Sequence, residues 1–245
     1  MKKTLLLLLA VLCVAACKEE PDLPSDPHVS LINPFIGVWD AGGEYRQFRS
    51  DGTGGRAATE AGPFSNDFSF FVYAGQDVRT EPSDGSLVIL DDSGGADIVV
   101  TRYVFYIEQN QAVLSPQPSG TGITLERVSG APAPLSLANP LIGEWSATWN
   151  GLHDNSNKDD KWSIKYRADG TVKTCHLGVR HQFENSYILR GDKLVIFGAM
   201  RFSSQPITAN LQNTGAGKYH VTETQASDPA PAEWDYIKVA AAEWL

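Results

Sequence analysis

Asn33-Pro34-Phe35-Ile36-Gly37-Val38-Trp39 returns 106 positions later as Asn139-Pro140-Leu141-Ile142-Gly143-Glu144-Trp145. A second block follows each copy: Phe48-Arg49-Ser50-Asp51-Gly52-Thr53 in the first, Tyr166-Arg167-Ala168-Asp169-Gly170-Thr171 in the second. Further along, Gly85-Ser86-Leu87-Val88-Ile89 matches Asp192-Lys193-Leu194-Val195-Ile196. The copies close on Ile123-Thr124-Leu125-Glu126-Arg127-Val128 and Trp234-Asp235-Tyr236-Ile237-Lys238-Val239. Four blocks kept in one order mark an internal duplication. A repeat of about a hundred residues is too long for a solenoid unit and long enough to enclose its own core. The chain is therefore expected to hold two tandem domains, residues 31–129 and 139–245, joined by a linker at 130–138 rich in Pro and Ala. Such a linker would set the modules at a semi-fixed angle.

Within each module the local patterns specify strands. Tyr103-Val104-Phe105-Tyr106-Ile107 and Ser86-Leu87-Val88-Ile89-Leu90 are short runs rich in β-branched and aromatic residues, bounded by turn formers. Trp162, Ile164 and Tyr166 alternate with Ser163, Lys165 and Arg167, the period of a half-buried antiparallel strand. Asp51-Gly52 and Asp169-Gly170 suit tight hairpins. Beyond the first residues, no long 3.6-residue apolar period specifies a helix, although Ala240 to Leu245 could make one turn. All-β is the class these patterns predict.

A Gly-x-Trp opening an all-β module, closed about ninety residues later by a strand bearing a basic residue, resembles the lipocalin and broader calycin pattern. The closer likeness is to short bacterial lipocalin-like domains. The resemblance implies two antiparallel β-barrels, each closed at one end by a Trp with the cation of the last strand on its indole face. The pairs here are Trp39 with Arg127 and Trp145 with Lys238. Such a cation–π contact contributes roughly 0.5–2 kcal/mol. Eight strands leave an interior either just filled by side chains or just wide enough for one small ligand.

Met1-Lys2-Lys3-Thr4 and the apolar Leu5 to Val14 form a charged start and an apolar stretch too short for a resident membrane helix. Residues 1–16 read as a secretory signal. It ends Val14-Ala15-Ala16-Cys17, which resembles the bacterial lipobox and implies lipid attachment at Cys17. Residues 17–30, with Pro21, Pro24 and Pro27 among charged side chains, then form an extended tether. Its Cys17-Lys18-Glu19-Glu20 start is similar to the surface-export signal of Bacteroidetes lipoproteins. The expected place is thus the bacterial cell envelope, anchored by lipid at the outer membrane and exported to the cell surface if that signal operates. Cys175 is left alone in the folded part, so no intrachain disulfide supports the domains, and it is expected as a buried small hydrophobe.

The formal charge of the chain is −9, and it is unevenly held: −7 over residues 31–128 and zero over 139–239. An acidic body repels nucleic acid and anionic lipid, so neither is an expected partner and the acyl chains alone must hold the membrane. No hydrolase, nucleotide-binding or metalloprotease motif appears, so no catalytic residue and no cofactor is assigned. The acidic run Asp91 to Asp97 lacks the spaced ligand set of a calcium loop and reads as a solvated hairpin. His153, His176, His181 and His220 all fall in the second copy at no known ligand spacing, so no metal site is assigned. The second copy also carries a loop from Trp149 to Lys161 about twelve residues longer than its counterpart, at a barrel mouth where specificity often resides. Trp149, Trp162 and Trp234 are the candidate ligand-binding residues. Two functions stay open: a lipid-anchored binding protein for a small hydrophobic ligand, and a non-enzymatic structural or interaction lipoprotein whose filled barrels contact protein or glycan.

Overall fold

The computed structural model describes residues 32–74, 84–93, 98–150, 160–178, 181–198, 207–225 and 228–244. The signal, the tether with Cys17, residues 94–97 of the acidic run, and His153 with the middle of the long loop lie outside them. The first module forms strands β2 (Gly37–Asp40), β3 (Tyr45–Phe48), β4 (Thr53–Ala57), β5 (Phe68–Ala74), β6 (Asp84–Asp91), β7 (Val99–Glu108), β8 (Gln111–Gln117) and β9 (Ile123–Ser129). The second forms β11 (Gly143–Trp149), β12 (Lys161–Tyr166), β13 (Thr171–His176), β14 (His181–Arg190), β15 (Lys193–Gly198), β16 (Ile207–Gly215), β17 (Lys218–Gln225) and β18 (Asp228–Val239). Each set of eight closes into an antiparallel barrel in sequence order. Two further short strands, β1 (Ile32–Asn33) and β10 (Ala133–Pro134), pair with each other. The described residues contain no helix.

Key residues shared by the duplicated blocks make matching contacts in both barrels. The side-chain oxygen of Asn33 accepts from the Phe35 amide at 2.9 Å, and that of Asn139 from the Leu141 amide at 3.0 Å. These turns place Trp39 and Trp145, whose indole N–H groups donate to the carbonyls of Phe35 and Leu141 at 2.7 and 2.6 Å. Gly37 and Gly143 hold φ of +128° and +125°, a region open to glycine. A side chain at Gly37 would also run into the Ser129 carbonyl. The Arg127 guanidinium then lies 4.3 Å from the Trp39 ring centroid and the Lys238 ammonium 5.3 Å from that of Trp145. Each cation also donates to carbonyls of the entering chain, Arg127 to Pro34 and Ile36, Lys238 to Pro140 and Ile142. In the second block, the Asp51 carboxylate accepts from the amide and hydroxyl of Thr53 at 2.9 and 2.6 Å. Asp169 and Thr171 repeat both distances.

The segment at 130–138 is built into the fold. The Ser136 amide donates to the Ser50 carbonyl at 2.5 Å and the Leu137 amide donates to the Ala168 carbonyl. Ser50 and Ala168 are equivalent positions of the duplicated Asp-Gly-Thr turns, so the segment clasps the same turn of both barrels. Leu135 and Leu137 are buried, and both lie against Gly170, with Leu137 also against Gly52. Beyond the clasp, β5 packs on β14, its counterpart in the second barrel. Phe71 meets Phe197 at 6.1 Å between centroids, Arg102 lies over the same Phe197 ring at 4.9 Å, and Arg190 donates to Asp92 at 2.8 and 3.0 Å. The buried apolar residues of both barrels and the clasp form one continuous cluster.

The chain end differs from the expected helical turn. Residues 240–244 run without helix over the outer face of β11, β12 and β13. The Ala242 amide and the Trp244 indole both donate to Glu144 Oε2, the Ser163 hydroxyl donates to the Glu243 carbonyl, and the Lys173 ammonium sits 5.0 Å over the Trp244 ring. Those contacts outweigh the helix propensity of three alanines, which a six-residue tail is too short to express. They also account for buried Ser163 and Lys173 on the outward side of a barrel wall.

The shared cluster predicts one cooperative thermal transition for the whole chain. Leu137→Ala should lower it by about 2–4 kcal/mol, the cost of a buried leucine truncated to alanine. Scanning calorimetry checks this: two transitions, with one unmoved by the substitution, would show the barrels to be thermodynamically separate.

Candidate functional site

In a closed antiparallel sheet, residues paired across strands point to the same side, so register sorts each barrel into lumen and exterior. Trp39 and Trp145 anchor this comparison, because the register around them pairs the two barrels position by position.

The first lumen is filled with rings. Phe35 packs on Trp39, Phe48 and Phe105 at centroid distances of 5.6, 5.5 and 5.0 Å, and Phe48 packs on Phe68 and Phe70 at 5.4 and 4.9 Å. Toward the end carrying the β2–β3 and β4–β5 loops, the Arg56 guanidinium lies 5.3 Å over the Phe68 ring. It is paired with Asp91, with Asp67 at 3.1 Å and with Glu44 at 3.7 Å. Burial pushes the Asp91 carboxyl up, but the Ser93 hydroxyl and Arg56 outweigh it and hold the group below its ordinary range. A carboxylate-bound arginine thus caps an interior of phenylalanine.

The second lumen has lost that cap. Gly54 pairs with Phe68 and Phe68 with Asp91, whereas Val172 pairs with Asn185 and Asn185 with Gly198. Asn185 therefore takes the place of Phe68, Gly198 that of Asp91, and Thr174 that of Arg56. Tyr103 pairs with Pro116 where Ala209 pairs with Glu223, so a tyrosine has become alanine and a proline glutamate. At these five lumen positions three bulky groups, the Phe68 and Tyr103 rings and the Arg56 guanidinium, have given way to Asn, Ala and Thr, while elsewhere Val172, Tyr219 and Tyr236 stand in place of Gly54, Ala112 and Leu125.

Aromatic and polar groups line what replaced them. Trp149 and Trp234 stack at 5.8 Å and 20°, and Trp162 meets Trp234 edge-on at 5.6 Å and 86°. His176 lies flat on Trp162 at 4.5 Å and 2°, its Nε2 3.0 Å from Asp160. Asn185 is fully buried, yet neither its amide oxygen nor its nitrogen has a hydrogen-bond partner among the described residues. The Thr174 hydroxyl and the Trp149 and Trp162 indole N–H groups are likewise unpartnered. A buried polar group left unpaired costs about 1–3 kcal/mol, so these groups lower the stability of this lumen relative to a fully satisfied one. Glu223 is also buried, and no cation among the described residues pairs with it. Burial pushes its carboxyl up to about 7; the Trp234 indole nearby favours the charged form and opposes the shift. Tyr166 and Tyr236, whose hydroxyls are held protonated well above their usual range by burial, neighbour it on the closed side.

Of the residues singled out in the sequence, Trp149, Trp162 and Trp234 come together at this lumen, while Trp39, Arg127, Trp145 and Lys238 sit at the opposite, closed ends. The loop from Trp149 to Lys161 lies outside the described residues over most of its length. At its flanks the Trp149 amide donates to the Asp160 carbonyl and the Asn150 amide to that of Glu233. His176 is buried, because its position on β13 faces inward against Trp162. His220 faces outward to Asp235 at 3.0 Å, so the two rings lie on opposite sides of the wall. No cluster of metal-binding side chains occurs among the described residues. Cys175 is buried on the outward side, paired in register with Ser163 beneath the tail. Sequence reading missed Glu223, Asn185 and Thr174. The signal for Glu223 was a charge two residues after Val221, in phase with an inward apolar position. No family model matches this sequence, and comparison with curated proteins returns no match.

The elevated Glu223 carboxyl carries a stability consequence. Its value of about 7 in the folded protein stands above the ordinary 4.5. The folded state therefore keeps a proton that the unfolded chain releases, and stability is full below pH 4.5 and falls as pH rises toward 7. The loss amounts to about 3 kcal/mol. Glu223→Gln, neutral throughout, should gain on the parent above pH 7 and not below 4.5. Urea unfolding across pH 4 to 9 measures it, and parallel curves would exclude a buried proton at this residue.

Proposed function

We propose that the protein is a lipid-anchored binding protein of the bacterial cell envelope, taking one small ligand with an apolar body into the second barrel. What supports the reading above all is the register comparison: Phe68, Arg56 and Tyr103 of the first lumen stand as Asn185, Thr174 and Ala209 in the second. Smaller side chains take these positions in a lumen that also holds three indoles and polar groups without hydrogen-bond partners among the described residues. Flat rings with a few placed polar groups are the usual composition of a small-molecule site. The first barrel, filled and capped, serves on this reading as the stable support of the pair, and as the acidic half it keeps anionic surfaces at a distance. The filled first lumen favours the second reading, an interaction role, for that half alone. Anchoring through Cys17 is the remaining part of the proposal, resting on Val14-Ala15-Ala16-Cys17.

Titration of the full chain with an environment-sensitive apolar dye, read by dye and tryptophan emission, should saturate at one site. Asn185→Phe, which restores the ring of the first lumen, should abolish that saturation with the fold kept by circular dichroism; undiminished binding by this variant would place the site elsewhere. In cells, labelled fatty acid should enter the protein, and Cys17→Ala should abolish the labelling. Labelling that survives the substitution would remove the anchor from the proposal.

A further inference from the structure

The first barrel contains its own cation. Arg56 sits over the Phe68 ring and is bound by Asp91 and Asp67. The second barrel has Thr174, Asn185 and Gly198 in place of Arg56, Phe68 and Asp91, and it carries a buried carboxyl of its own, Glu223 in place of Pro116, beside the Trp234 indole. We propose that this lumen selects a ligand with a cationic amine or ammonium head, seated on Glu223 and the indole faces. The inference rests on the reading of the second barrel as a ligand site and names the ligand class.

Four observations converge on it. Glu223 is buried, and no ion pair to it exists among the described residues. Its cross-strand neighbours on the lumen side are the small residues Ala209 and Ala232. The Trp234 ring is next to it, with Trp149 stacked behind and Trp162 edge-on, and the negative face of an indole attracts a desolvated cation more strongly than other rings do. Asn185 and Thr174 hold unpartnered oxygens, whose partial negative charge favours a cationic head. An anionic head is disfavoured: Lys238, exposed over the closed end, is committed to Trp145 and the Pro140 and Ile142 carbonyls there. The other titratable groups facing the lumen around Glu223 are Tyr166 from β12, His176 from β13 and Tyr236 from β18. Neither tyrosine carries charge near neutral pH.

The test is calorimetric titration of the full chain with decyltrimethylammonium, decanol and decanoate, three probes of one chain length and different head charge. Decyltrimethylammonium should bind at least about ten-fold more tightly than either of the others. Glu223→Gln should lose that factor and leave decanol unchanged, with circular dichroism confirming the fold of the variant. Independently of any substitution, the affinity for decyltrimethylammonium, whose own charge is fixed, should rise from pH 5 to pH 8. The rise should disappear in Glu223→Gln, which separates Glu223 from His176. Decanol binding as tightly as the ammonium, or an ammonium affinity indifferent to Glu223→Gln and to pH, would overturn the cation assignment while leaving a lumen that binds apolar molecules. Binding of none of the three probes would overturn the ligand-site reading as well.

Discussion

The contact on which each barrel depends is a cation laid on an indole while it also holds the chain that enters beneath. Arg127 over Trp39 donates to the Pro34 and Ile36 carbonyls, and Lys238 over Trp145 donates to those of Pro140 and Ile142. One side chain from the last strand therefore fixes the first strand, the plug and the entry segment together. Barrel closure requires the first and last strands to meet, and this contact supplies side-chain selectivity to a seam that backbone hydrogen bonds alone would leave free to slip. Arginine and lysine perform it differently. The planar guanidinium lies closer to its ring and spans two carbonyls with separate N–H groups, as its fork geometry favours.

Closure at one end leaves the other free to vary, and the two copies have used that freedom in opposite ways. Both lumens contain carboxylates and aromatic rings near the open end. In the first, an arginine joins them, satisfying the charge and filling the space. In the second, Glu223 has no cation beside it among the described residues, and the polar atoms of Asn185 and Thr174 have no hydrogen-bond partner there. Such a lumen is less stable by itself than a filled one, since each unsatisfied group carries a desolvation cost. The continuous apolar cluster across both barrels and the clasp offsets that deficit.

Much of this architecture was legible in the residues. The duplicated blocks correspond to turns and seams whose hydrogen bonds require those side chains: an Asn whose oxygen caps the amide two residues on, an Asp serving both amide and hydroxyl of a Thr, and a Gly at positive φ. Interactions local in sequence leave local signatures, and so the two barrels and their order could be read. The lumen could not be read in the same way. Asn185 and Thr174 are ordinary polar residues in strands, and their importance arises from closure, which turns them toward an interior shared with strands far away in the chain. The course of the tail was hidden because its partners Glu144, Ser163 and Lys173 lie about 70 to 100 residues earlier. The tryptophans were found only because aromatic residues are conspicuous wherever they fall.

The docking of equivalent strands through an intervening clasp has the geometry of a two-fold dimer drawn into one polypeptide. In a true homodimer every substitution at the contact is made twice, and a one-sided feature is forbidden unless it tolerates its own mirror. Fusion removes that rule. Phe71 meets Phe197, and Arg190 reaches Asp92, with no reciprocal pair required of the opposite positions. Once the two halves can change independently, each can build a different interior without either losing its neighbour.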